Sequence, residues 1–154
     1  MSSSNSLTGK TLRNRGQVTE QTMRQLAFRW RRDPAILRVE KPTRLDRARR
    51  LGYKAKQGFI VVRARLQKSG ARKKRPTSGR RQRAMGVSKI KWAKSGKQIA
   101  EERVAKRYPN MEVLNSYFLW ADGKYLWTEV LLVDPSHPAL MSDPRVKWIS
   151  RIGD

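Results

Sequence analysis

The chain has 154 residues, with 36 lysines and arginines against 12 aspartates and glutamates, for a formal net charge of +24. Self-repulsion of that size disfavours a compact free state and calls for a polyanionic partner. Cysteine is absent, which excludes a disulfide framework and a thiolate metal site. No apolar run approaches the roughly 18 residues of a membrane span, and the Met1-Ser-Ser-Ser-Asn-Ser opening lacks the charged-then-apolar order of a secretion signal.

Taken in order, residues 1–16 are polar and basic and are expected to form a flexible arm. Residues 17–154 are expected to form one domain that carries a long basic loop. Val18, Met23, Leu26, Ala27 and Trp30 recur three and four apart and predict a helix over 17–32. Arg24, Arg29, Arg31 and Arg32 lie on its other faces, and Asp33-Pro34 ends it. Residues 36–40 read as short and extended. Thr43 is the expected N-cap of a helix over 44–51, with Asp46 in its first turn and Gly52 at its end.

Residues 58–66 are β-branched and predict a strand, with Arg63 and Arg65 alternating onto one face that would be open to a partner. A basic loop over 67–86 follows, too long for a simple connection. Residues 87–92 suggest an edge strand. Ser95-Gly-Lys-Gln98 reads as a capping box for a helix through Tyr108, with Ile99, Ala100, Val104 and Tyr108 on its apolar side and a Glu102–Lys106 pair. Residues 111–120 and 125–133 predict two strands joined by Ala121-Asp-Gly-Lys124, a hairpin signal. One or two helical turns should follow the turn at 134–138. The fold class is therefore α+β: a small, mostly antiparallel sheet with helices packed on it, plus the loop and the arm.

Residues 47–100 contain nineteen of the lysines and arginines and no acid. At their centre Arg72, Lys73, Lys74 and Arg75, then Arg80, Arg81 and Arg83, flank Pro76-Thr-Ser-Gly79. A segment this poor in apolar side chains cannot offset its own ordering entropy. The two clusters are suited to gripping successive phosphates, while the small residues between them allow backbone N–H groups to approach. Charge runs are commonly no more than solvated surface, but the absence of any acid over this length favours nucleic acid. Lys54, Lys56, Lys89 and Lys91 extend the basic character, and Tyr53, Trp92 and Trp30 are candidates for stacking on splayed bases, with core packing preferred for Trp30. Trp120, Tyr125 and Trp127 read as packing residues of the hairpin. From residue 111 onward six acids face four basic residues, so this end reads as a nearly neutral scaffold.

No catalytic, metal or cofactor site is expected. The lone His137 has no partners for a triad or a metal, Glu101 and Glu102 point to different helix faces, and Thr77-Ser-Gly79 lacks the spacing of a phosphate-binding loop. A chromatin-type or regulatory DNA-binding protein is the competing reading; it would need a helix-turn-helix or a zinc site, and neither pattern occurs. An RNA-modifying enzyme would need a catalytic constellation that the chain does not offer.

Several stretches go further. Lys41-Pro-Thr-Arg-Leu-Asp-Arg-Ala-Arg-Arg-Leu-Gly-Tyr-Lys-Ala-Lys-Gln-Gly58, Ala100-Glu-Glu-Arg103, Leu114-Asn-Ser-Tyr117, Glu129-Val-Leu-Leu-Val-Asp-Pro135 and His137-Pro138, in this order, resemble the archaeal and eukaryotic large-subunit ribosomal proteins of the L fifteen e family over about residues 40–150. The resemblance implies an α/β/α fold around a small antiparallel sheet, and a structural role in the large ribosomal subunit of the cytoplasm. Large-subunit ribosomal RNA and neighbouring ribosomal proteins would be the partners, with no small-molecule substrate and no cofactor. It implies RNA contacts at Arg44, Arg47, Arg49, Arg50, Tyr53, Lys54, Lys56 and Gln57, and in the loop 72–83. Residues 1–16 depart from the aromatic-rich opening such relatives lead one to expect, and the further basic tail usual among relatives would lie beyond Asp154.

Overall fold

The computed structural model describes residues 16–68, 73–87 and 93–144, without the side chains of 16–19. The expected arm, apart from Gly16, and the expected strand at 87–92, apart from Val87, lie outside these residues, as does the end of the chain beyond 144.

Helix α1, Gly16–Trp30, follows the predicted stripe: Ala27 and Trp30 are buried, with Met23 and Leu26 packed beside them. Strand β1 is Ile36–Val39 and helix α2 is Leu45–Arg50. Thr43 does not cap α2. Arg44 occupies the N-cap position without a side-chain hydrogen bond, because the Thr43 hydroxyl donates instead to Glu129 Oε1 at 2.6 Å. A buried carboxylate needs a donor more than a solvated helix end does. The chain leaves α2 through Gly52, whose φ of 96° suits glycine.

Strands β2 (Phe59–Gln67), β3 (Glu112–Ala121) and β4 (Tyr125–Val133) complete a four-stranded antiparallel sheet in the order β1-β2-β4-β3. The predicted basic loop thus starts after Gln67, and its far side holds a 3-10 turn, Gln82–Ala84. The β3–β4 hairpin forms where Asp-Gly predicted it, and Asp122 Oδ1 accepts from the amides of Lys124 and Tyr125 to close the turn. Strand β3 carries register shifts against β4 at Val113/Asn115 and Phe118/Trp120, each an extra residue of the bulge type.

Helix α3, Gly96–Arg107, starts where the capping box predicts, with Ser95 Oγ accepting from the Gln98 amide at 3.2 Å. Its Ala100 and Val104 pack with Val62, Ala64, Val130 and Leu132 on one sheet face. On the opposite face α1 and Ala48 of α2 meet Val61, Tyr117, Trp127 and Leu131. The result is helix, sheet, helix: the α+β class, with the sheet as the middle layer. The expected Glu102–Lys106 pair is replaced by Lys94 Nζ donating to Glu102 at 2.6 Å, while Lys97 faces Glu101 at 3.9 Å. The short helix α4, Pro138–Met141, follows the turn, and His137 Nδ1 accepts from the Ala139 amide to cap it.

Gly58, at φ 88°, leads into β2, and a Cβ there would run into the Leu140 side chain of α4. Left-handed strain of about 1–2 kcal/mol would add to that clash. Gly58→Ala should therefore lower stability by about 2 kcal/mol or more in urea unfolding, whereas Gly123→Ala, where a Cβ meets open space, should change it far less.

Candidate nucleic-acid interface

The described part of the basic loop turns its cations outward. Lys73, Lys74, Arg75, Arg80, Arg81 and Arg83 are all exposed, and none is in an ion pair among the described residues. Lys73 Nζ reaches the Gly86 carbonyl at 3.4 Å, a contact too long to be strong. Arg47, Arg49 and Arg50 on α2 are likewise exposed, as is Gln57; Arg44 is half-buried. Arg72, Lys89, Lys91 and Trp92 lie outside the described residues.

The two arginines of β2 do not form an open basic face. Arg63 is only 8% exposed: its guanidinium donates to Asp33 at 2.6 Å and lies over the Trp30 ring at 4.6 Å. Burial pulls it below its ordinary value, and Asp33 and Glu129 pull it back up. Arg65 donates to the carbonyls of Trp30 and Arg31 and lies 4.8 Å from the Tyr125 ring centroid. Both therefore hold the C-terminal end of α1, where carbonyls carry the negative end of the dipole. The alternation of β2 is as predicted; what faces it is a helix rather than solvent.

Lys54 and Lys56 also have intramolecular partners. Both pair with Asp143 just beyond α4, Lys56 at 2.7 Å, and Lys56 donates to the Ala139 carbonyl at 2.9 Å. Tyr53 is half-buried with its ring edge-on to Phe59, 6.0 Å between centroids, and Trp30 packs on Trp127 at 5.9 Å. Neither ring is a free platform.

The arrangement positions cations and does little else chemically. Among the described residues no three His, Cys, Asp or Glu side chains converge on a possible metal position, and no helix is long and apolar enough to cross a membrane. A family model described as Ribosomal L15, of the L15e type, matches residues 6–153. The chain belongs to the ribosomal L15e family. The match reaches further toward both ends than the motifs at 40–150. The L15e family is a structural, non-enzymatic family of ribosomal proteins.

Two features of this L15e chain escaped the sequence reading. Phe28 on α1 is 62% exposed, with the guanidinium groups of Arg31 and Arg32 over its ring at 5.7 and 6.0 Å; the signal was its position just outside the apolar stripe. The other is Glu129, quoted above only within a motif. It is 0% exposed in mid-β4 and accepts from the Thr43 hydroxyl and amide and from the Tyr117 hydroxyl.

Burial raises the Glu129 carboxyl against the lowering effect of Thr43, Tyr117 and Arg63. Burial and the neighbouring carboxylate likewise raise the Tyr117 phenol, so it stays a donor. A carboxyl raised in the folded state binds more protons folded than unfolded, so its contribution to stability declines as pH rises from the unfolded value, about 4.3, through the folded one. Glu129→Gln removes that dependence. The stability of wild type relative to Glu129→Gln should therefore improve on acidification across this window and stay level above it, as read by urea unfolding of both proteins between pH 4 and 8.

Proposed function

We propose that this chain is a structural constituent of the cytoplasmic large ribosomal subunit, where it binds and stabilises large-subunit ribosomal RNA beside neighbouring ribosomal proteins. The observation that carries the reading is the outward set Lys73, Lys74, Arg75, Arg80, Arg81 and Arg83, without an ion pair among the described residues, in an acid-free stretch of an L15e-family chain. Arg72, Lys89 and Lys91 extend that set along the sequence, and the exposed Arg47, Arg49 and Arg50, with Arg44 and Gln57, add a second contact region on and beside α2. Arg63 and Arg65 act from inside, by fixing α1. Lys54 and Lys56 reach RNA only by sharing or releasing Asp143.

The mechanism is electrostatic. Cations neutralise phosphates crowded together by packed RNA helices, and the folded layers fix where the loop enters. Recognition is of shape and backbone, because the deep groove of A-form RNA hides its base edges. Log affinity should fall by about 0.7–0.9 per phosphate contact per tenfold rise in salt.

Arg80→Glu combined with Arg81→Glu should weaken binding to large-subunit RNA at least tenfold and flatten the salt dependence by about two contacts, with the circular dichroism spectrum unchanged. In a native extract resolved on a sucrose gradient, the protein should co-migrate stoichiometrically with the large subunit through a high-salt wash. Migration as a free species, or with DNA, would end the reading.

A further inference from the structure

Between α1 and the hairpin tip lies a pocket of about 450 Å³, lined by Arg24, Ala27 and Arg31 on one side and by Trp120, Ala121, Asp122 and Gly123 on the other, with Lys68 at its edge. Residues 24, 27 and 31 are three and four apart and so share one helix face. The Lys68 amide donates to the Lys124 carbonyl at 2.8 Å, which seats the end of β2 against the hairpin tip. Arg31 Nε donates to Asp122 Oδ2 at 2.8 Å and joins the two walls.

The charges in this pocket do not cancel. Both Asp122 oxygens are occupied, one by Arg31 and the other by the amides of Lys124 and Tyr125. Arg24 and Lys68 remain as the positive excess. Arg24 does pair with Glu20, but the two side chains are 70% and 52% exposed, so this surface pair is weak and readily exchanged for a phosphate. Lys68 Nζ has no partner among the described residues. Trp120, half-buried and packed on one side against the core cluster of Ala27 and Trp127, lines the pocket with Ala121 next to it and Ala27 across from it. The volume suits a small ligand and is far too small for a duplex.

We propose that this pocket receives one unpaired nucleotide of ribosomal RNA, with the base against the Trp120 indole and the phosphate on Arg24 and Lys68. This deepens the ribosomal-RNA reading and rests on it. Paired bases are stacked away inside a helix, whereas an extruded base offers a π-face that any aromatic wall accepts. Arg31 ties the two walls of the pocket together through its bond to Asp122.

The test uses the full chain and two RNA hairpins that differ only by a single-nucleotide bulge, with each of the four bases tried in the bulge. Wild type should bind the bulged hairpins more tightly than the paired one by about tenfold, in the range of base–aromatic stacking. Trp120→Leu should erase that margin and leave affinity for the paired hairpin unchanged. The Trp120 indole N–H resonance, assigned by its loss in that variant, should shift with bulged RNA alone. Should Trp120→Leu fail to fold by circular dichroism, Arg24→Gln combined with Lys68→Gln decides, because it should lower affinity for the bulged hairpins several-fold more than for the paired one. Equal binding of the bulged and paired hairpins by wild type, or equal weakening of both by the variants, overturns the pocket and leaves the ribosomal-RNA reading intact. Failure to bind either hairpin, together with absence from the large subunit on a gradient, overturns both.

Discussion

A single buried carboxylate ties the layers together. Glu129 sits in the middle strand pair with no exposure, opposite Arg63 on β2 and Tyr117 on β3. Thr43 reaches it from the loop before α2, and Arg63 extends the line to Asp33 at the end of α1. Four segments far apart in sequence thus converge on one line of donors and acceptors. A charge in such a place is costly unless it is well partnered, so every segment must arrive in register. An apolar side chain would give comparable burial but would not require Thr43 to leave its helix end.

That line also explains how so basic a chain keeps a folded body. Twelve acids cannot neutralise thirty-six cations, and several of the described acids are placed where they position structure. Asp33 and Glu129 hold Arg63. Asp143 gathers Lys54 and Lys56 against α4, and Asp122 closes the hairpin while bracing Arg31. Burial pushes the Asp122 carboxyl up, yet the amides of Tyr125 and Lys124 and the Arg31 guanidinium outweigh it and hold the group below its ordinary value. The cations left over are those of the loop and of the outer faces of the helices. Their repulsion is of the kind a polyanion relieves, so under the proposed RNA-binding role assembly with RNA would be linked to the stability of the protein.

The aromatic residues divide in the same way. Trp30, Trp127, Tyr53 and Tyr125 are drawn into the layer between α1 and the sheet, and two of them carry an arginine over the ring. This is a cation–π contact made inside the protein rather than with a ligand. Phe28 and Phe118 face outward, while Trp120 packs against the same core on one side and lines the pocket beside α1 on the other. The distinction between an aromatic that packs and one that receives a partner depends on a neighbour supplied by another element.

Local and periodic information was enough for much of this. Composition alone called for a polyanion. The 3.6-residue stripe of α1, the Ser95 cap of α3, the Asp-Gly hairpin and the glycine end of α2 are short-range features that the chain encodes within a few residues, and each is present in the fold. Long, ordered motifs identified the family. Only the tertiary structure decided which cations face out. The alternation of β2 placed Arg63 and Arg65 on one face, but whether that face met water or a helix depended on α1 folding back across the sheet. The Thr43 hydroxyl had two acceptable uses, and the distant Glu129 took it. The separation of Lys54 and Lys56 from Asp143 is close to ninety positions, so no local pattern could join them. A side chain's chemistry is written in its type, but its availability is set by what packs against it, and for these residues that neighbour comes from the far end of the chain.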